Sequence, residues 1–366
     1  AFIVTHDNPT PILIKLCKES DLSRIYEDAK DDSTLYEVYN PRKKYSFELS
    51  KALWKPIEET AHVSLGNEIF IVPSGSLAKI PIESLPIVEG KDVVLSEYFR
   101  KFARLSHARA LSINIDREFN SITLFGGLDY GHGSDDADDS SESRGYRVDT
   151  MANTPTGLKT WRYLEGTKRE VEVVANQMQD LCSDIKILKG SEGTVTSFKE
   201  LSGNTPDIIH IATHGFFETR ETSVNLPALR TANPMSLSGL ILSNGNEGWL
   251  NGTPKNHEGI ITAAEIAHMQ LPCQMVVLSA CETGEGVVKS DGVYGLQRGF
   301  KKAGVGCLIM SLWNLDDMGG QAFMQLFYKK LAEGSDRYKA FYEAKHQIKN
   351  AFADMPFMWA GIIMLD

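Results

Sequence analysis

Val276-Val277-Leu278-Ser279-Ala280-Cys281-Glu282-Thr283-Gly284-Glu285-Gly286 is the stretch on which the reading of this chain turns. Its apolar run is too short for a helix and ends in a small residue, a cysteine and then glycines, the pattern of a buried parallel strand feeding a tight turn. Cys281 then stands at the carboxyl end of a strand. In an open α/β sheet that edge is where ligands bind, because the loops there converge on a crevice.

Ile208-Ile209-His210-Ile211-Ala212-Thr213-His214-Gly215-Phe216-Phe217 has the same build, an apolar strand ending in His214 and a glycine. If the two strands are neighbours, roughly 5 Å apart, imidazole and thiol face each other across one crevice. That is the arrangement of a nucleophile and its base. His210, earlier on the same strand face, is expected to be core or support rather than catalyst.

Composition narrows the class. The chain has 366 residues, 42% of them hydrophobic, enough for two cores. No apolar run approaches membrane-spanning length and no signal peptide opens the chain. A net charge of -10 argues against nucleic acid as the main partner. Five cysteines, odd in number and without metal-type spacing, fit a reducing, cytoplasmic setting. Cys17, Cys182, Cys273 and Cys307 lie in or beside apolar runs and are expected to be inert packing.

In chain order, Phe2-Ile3-Val4 reads as a strand already under way, pairing with Ile12-Leu13-Ile14, and a segment upstream is expected. Residues 20–62 are helix-like, with Leu49, Leu53 and Ile57 at helical spacing, and Ile69 to Val72 is a buried strand. From Ile122 the order is strand, helix (Val171, Val174, Ala175, Met178), strand (Ile185 to Leu188), helix (Val195, Phe198, Leu201) and the His214 strand. This predicts a parallel sheet with right-handed crossovers. Two stretches stand out as loops: His132 to Thr150, with six acidic residues and almost nothing apolar, and Thr219 to about Gly259. Trp249, in the second, either anchors the loop or packs on a partner. After Cys281 come a helix stripe (Val293, Leu296, Phe300, Ala303), a strand (Cys307 to Leu312), another helix (Phe323, Leu326, Phe327, Leu331) and a closing strand (Phe357 to Leu365).

His214-Gly215 after one strand and Ser279-Ala280-Cys281-Glu282-Thr283-Gly284 after a later one resemble the caspase-like peptidases, and more closely the CHAT family, usually attached to TPR repeats. Further blocks match in order: Ile71 to Leu77, Ile80 to Leu85, Gly292 to Phe300, Ala303 to Val305, Ser311 to Asp317, and Trp359 to Gly361. The resemblance implies an α/β fold, a caspase-like sandwich with a mainly parallel sheet flanked by helices. A smaller α/β supporting subdomain would occupy residues 1–115 and the catalytic subdomain residues 116–366.

It further implies a cysteine endopeptidase acting on protein substrates, with Cys281 as nucleophile and His214 as general base and acid. Backbone N–H groups of Gly215 and Cys281 would form the oxyanion hole, without cofactor or metal. Substrate-binding positions would be Asp291, Trp313, Asp316 and Asp317. Asp316 and Asp317 also precede a helix, where aspartate caps free N–H groups. A regulatory partner acting through an upstream TPR-type region is expected, and Arg144-Gly145 and Arg147-Val148 offer exposed cleavage points if basic residues are accepted. Nucleic acid and membrane are not expected as partners. Two other readings compete. One is a catalytically silent caspase-like module that binds partners. The other is a flavodoxin-like nucleotide-binding domain, against which stands the lack of a glycine-rich phosphate loop after the first strand of the second half.

Overall fold

The computed structural model describes residues 1–22, 32–112, 118–131, 151–153, 159–218, 233–251, 258–280, 284, 286–289, 292–315 and 317–366. Strands in chain order are β1 (Phe2–Ile3), β2 (Ile12–Leu13), β3 (Glu68–Ile71), β4 (Lys101–Arg104), β5 (Ser121–Leu128), β6 (Met151–Asn153), β7 (Lys159–Trp161), β8 (Asp184–Gly190) and β9 (Ile208–Ala212). They continue with β10 (His214–Phe217), β11 (Ser238–Ile241), β12 (Ile260–Thr262), β13 (Met275–Ser279), β14 (Gly286–Lys289), β15 (Gly292–Gly295), β16 (Cys307–Ser311) and β17 (Ile362–Leu365).

The two strands singled out in the sequence lie side by side. β13 pairs in parallel with β9, from Met275 opposite Ile208 to Ser279 opposite Ala212. They sit inside an eight-stranded sheet of order β3-β4-β17-β16-β13-β9-β5-β8. Each neighbouring pair runs parallel except β16 and β17. Side chains alternate across a strand, so each central strand feeds two cores. On one face Ile208, Met275, Val277, Ile309 and Met364 pack with helices Glu165–Met178, Asp317–Ala332 and Arg337–Ala351. On the other Ile209, Ile211, Val276, Leu278 and Leu308 pack with Phe198, Leu240, Trp249 and Phe300. A strand covered on both faces needs an unbroken apolar run, which is why β9 and β13 read so clearly.

Three expectations change. β17 does not close the sheet but lies within it, antiparallel to β16 and parallel to β4. Its residues divide between the two cores, Ile362 and Met364 to one and Ile363 and Leu365 to the other, as an interior strand requires. The stretch after Phe217 is not a structureless loop: β11 pairs with β10 and β12 with β11 in a three-stranded antiparallel sheet, and helix Gly245–Asn251 follows β11. Trp249 anchors this part, edge-on to Trp161 at 5.0 Å and to Phe216 at 5.5 Å. The periodic stripe of helix Arg337–Ala351, with Ala340, Phe341, Ala344 and Ile348 buried, escaped the sequence reading. The loop His132 to Thr150, and the segment Thr219 to Ala232 of the second loop, lie outside the described residues.

Residues 1–112 contribute β3 and β4 to the same sheet. Besides its share of the apolar core, this region holds a buried ion pair that joins β4 to residues 78–83. Arg104 Nε and Nη2 donate to Glu83 Oε1 and Oε2 at 3.2 and 2.8 Å, and the guanidinium also donates to the carbonyls of Ala78 and Ile80. Burial alone would push the Glu83 carboxyl up, but the Arg104 guanidinium, with Lys345 behind it, outweighs this and holds it below the usual range. Breaking a buried pair by removing one partner costs about 3–5 kcal/mol, because the other charge stays buried and unpaired. Glu83→Ala should therefore lower the unfolding free energy by about that amount in urea titrations; a loss below about 1 kcal/mol would show that the pair does not fasten this region.

Candidate active site

β9 ends where its ladder changes hands. Thr213 N still donates to Ser279 O of β13 at 3.3 Å. The Thr213 hydroxyl turns to the other side, bonding Tyr130 Oη at 2.9 Å and donating to the carbonyl of Ile241. One residue on, the chain has joined the antiparallel sheet, with His214 opposite Ile241. His214 and His210 therefore do not share a face, as simple alternation would have it: the break at Thr213 sends them into different cores.

His214 is 1% exposed. Its ring is held between Tyr130 and Trp161, at centroid distances of 4.9 and 5.0 Å. Nε2 lies 2.7 Å from the Arg162 carbonyl oxygen. A carbonyl only accepts, so Nε2 carries the proton and Nδ1 holds the lone pair of the neutral ring. Burial drives the imidazole pKa down to about 4, against which the bond to the Arg162 carbonyl pulls upward. At neutral pH the ring is an uncharged acceptor at Nδ1.

His210 looks the other way. Its Nδ1 is 3.1 Å from Tyr328 Oη, and its Nε2 is 2.9 Å from Oε1 of Glu170, which is itself 3% exposed. The second oxygen of Glu170 accepts from the Ser279 hydroxyl at 3.1 Å. Glu170 thus lies between β9 and the last residue of β13, bonded to Ser279 and in close contact with His210, although Oε1 and Nε2 do not meet in hydrogen-bond geometry. The expectation of a supporting His210 agrees with this placement; Glu170 was missed. The signal was a carboxylate inside the stripe Val171, Val174, Ala175, Met178, where only a partnered charge can sit.

Cys281, Asp291 and Asp316 lie outside the described residues, as does the side chain of Asp317, the first residue of helix Asp317–Ala332. The flanks of Cys281 are described. Ala280 turns out of β13 directly after Ser279, and Gly284 N donates to Ser311 O at the end of β16, 2.7 Å away. A side chain at Gly284 would meet that oxygen at 2.7 Å and Leu312 Cα at 2.9 Å, so the glycine is needed for the approach. Gly215 lies in β10 opposite Leu240. Trp313 is half-buried between the two cores; its indole N–H donates to Phe357 O at 3.0 Å, and its ring fills the space over Gly361, where a Cβ would come within 2.4 Å.

The remaining cysteines behave as expected. Burial pushes the thiols of Cys182 and Cys273 up to about 11 and about 12, and that of Cys307 well above its ordinary value. Thiolate, the reactive form, is scarce at all three.

The CHAT domain family matches residues 43–365. The chain belongs to this family. Tetratricopeptide repeat protein 28 of Homo sapiens is 32% identical over 117 residues, covering 32% of this chain and 5% of that protein. The Mus musculus protein of the same name is 29% identical over 117 residues, with the same coverage. The chain therefore spans a small part of the curated relatives it matches. Among solved structures, the Arg-specific cysteine proteinase gingipain R aligns with a TM-score of 0.50 at 10% identity, covering 94% of this chain and 74% of that one, a likeness of fold. The fold is that of the caspase-like cysteine peptidases.

The buried histidines set a pH dependence. His346, beside Ser96 Oγ, is driven by burial down to about 3, with Lys345 and Lys349 adding to the effect. His214 and His346 are both depressed relative to an unfolded value near 6.5. Below that value the unfolded chain binds protons that the folded chain refuses, so stability is full above about pH 6.5 and falls as pH drops toward 4. Each group should cost about 2 kcal/mol by pH 5. In urea titrations at about pH 7.5 and 5, His346→Gln should lose less stability on acidification than the wild type. Equal losses in the two proteins would refute the assignment.

Proposed function

We propose that the chain is a cysteine endopeptidase that cleaves protein substrates through Cys281, with His214 as general base and then general acid. The observation that carries this is the orientation of His214 at the carboxyl edge of β9, beside β13. With Nε2–H committed to the Arg162 carbonyl, Nδ1 is the atom left to exchange a proton with a thiol. In the proposed cycle Nδ1 takes the Cys281 proton as sulfur attacks the peptide carbonyl carbon, and the backbone N–H groups of Gly215 and Cys281 receive the developing oxyanion. The amine leaves with the proton from Nδ1, and water then hydrolyses the thioester.

Residues 1–115 act in this reading as a supporting subdomain. Lys79, from the 3₁₀ turn Gly75–Lys79, places Nζ 5.7 Å from the ring centre of Phe217, three residues beyond the base. The name of the TPR-repeat relatives supports control by a partner or an upstream TPR-type region. Asp291, Asp316 or Asp317 would contribute a subsite for a basic side chain by charge complementarity, with Trp313 beside it. A second reading, a module that binds partners without cleaving them, draws on the near-complete burial of His214, which a substrate would have to open.

A thiol-reactive peptide electrophile separates the two readings: the peptidase should be labelled at Cys281, and the silent module left unlabelled there. Cys281→Ala should abolish cleavage, and His214→Ala should lower kcat about 100-fold or more with the circular dichroism unchanged; full activity in either variant removes the pair from the mechanism. In a peptide-library profile the residue before the scissile bond should be Arg or Lys, and a profile dominated by aspartate or aliphatic residues would exclude the acidic subsite.

A further inference from the structure

His214 is oriented by a main-chain carbonyl, so something must hold that carbonyl. Arg162 directly follows Trp161, and both main-chain groups of Trp161 are taken by one side chain: Asn246 Oδ1 accepts from Trp161 N at 2.7 Å, and Asn246 Nδ2 donates to Trp161 O at 3.1 Å. Asn246 is fully buried, at 0% exposed. Its own N–H donates to Tyr130 O at 2.9 Å. The same residue therefore grips the backbone of both aromatic residues whose rings flank His214. Asn246 is itself fixed from below. Asn244 N donates to Asp129 O at 2.9 Å, and Asn244 adopts the left-handed conformation, φ 65°, that asparagine tolerates better than other side chains.

A carboxamide is suited to this task. It presents one acceptor and one donor at the spacing of a backbone peptide, so it pairs with Trp161 as a neighbouring strand would. Aspartate keeps the acceptor but sets a second oxygen against the Trp161 carbonyl. Leucine, of similar size, supplies neither.

We infer that Asn246 is a positioning residue for the reaction: by clamping Trp161 it aims the Arg162 carbonyl at Nε2 of His214 and so keeps Nδ1 as the proton-exchanging atom. The inference rests on the reading of His214 as base, and the experiment separates the two. Asn246→Asp and Asn246→Leu are compared with the wild type and with Leu331→Ala, a core substitution on helix Asp317–Ala332 that destabilises elsewhere. Nitrogen-15 NMR of labelled histidine reports the tautomer of His214, and steady-state kinetics separate kcat from KM. In the folded Asn246 variants the single Nε2–H tautomer should give way to a mixture, and kcat should fall at least ten-fold with KM little changed; Leu331→Ala should keep both tautomer and kcat. An unchanged tautomer in the Asn246 variants, or an equal change in Leu331→Ala, overturns the inference. If neither Asn246 variant folds, the wild type decides: its Asn246 carboxamide protons must be protected from exchange, and free exchange overturns the clamp. If Cys281→Ala cleaves as fast as the wild type, the peptidase reading fails while the tautomer result still judges the clamp.

Discussion

The rest of the site depends on one hydrogen bond, from the buried Nε2–H of His214 to the carbonyl of Arg162. A buried polar group without a partner costs about 1–3 kcal/mol, so the ring cannot turn over without leaving the N–H unmet. Ring contacts with Tyr130 and Trp161 reinforce the choice, each of a kind that contributes about 0.5–1.5 kcal/mol. The same burial that restricts the ring makes it neutral, with a pKa near 4. A neutral imidazole with a fixed tautomer is ready to accept a proton at one atom only. Its weak basicity is the cost, and a thiolate formed nearby would offset it by favouring the protonated ring.

The sheet is organised to let that bond sit at an edge while its supports lie in two cores. β9 is wholly buried along Ile208 to Ala212. Below it, Glu170 lies against His210 and bonds Ser279, so the last residue of β13 is tied to the helix that packs under both strands. Above it, the strand leaves the main sheet at Thr213 and is captured by β11. The Glu170 contacts on one side and the aromatic cage on the other restrain the strand end from opposite faces.

Elements governed by local pattern were readable in the sequence. β9, β13 and β16 are apolar runs bounded by turn residues, although β9 ends at Ala212 and His214-Gly215 opens the next strand rather than closing this one. What escaped depends on partners far along the chain. Asn246 lies in the polar run Ser243 to Gly248, which reads as a loop; its role exists only through Trp161, 85 residues earlier. Glu83 and Arg104 look like ordinary surface charges until packing brings them together. β11 opens Ser238-Gly239, a weak strand signal, so its strand character comes from lying between β10 and β12 rather than from propensity. The interior place of β17 likewise follows from which strands it separates, a matter of topology that no window of sequence contains.

The most direct measurement is the rate at which a thiol-reactive alkylating agent modifies Cys281, mapped by mass spectrometry from about pH 5 to 9 in the wild type and in His214→Ala. Modification should be concentrated at Cys281, with a rate near neutral pH that exceeds the variant's and converges with it only as the free thiol ionises. Identical pH profiles in the two proteins would contradict this, because Cys281 would then be reacting without the assistance of His214.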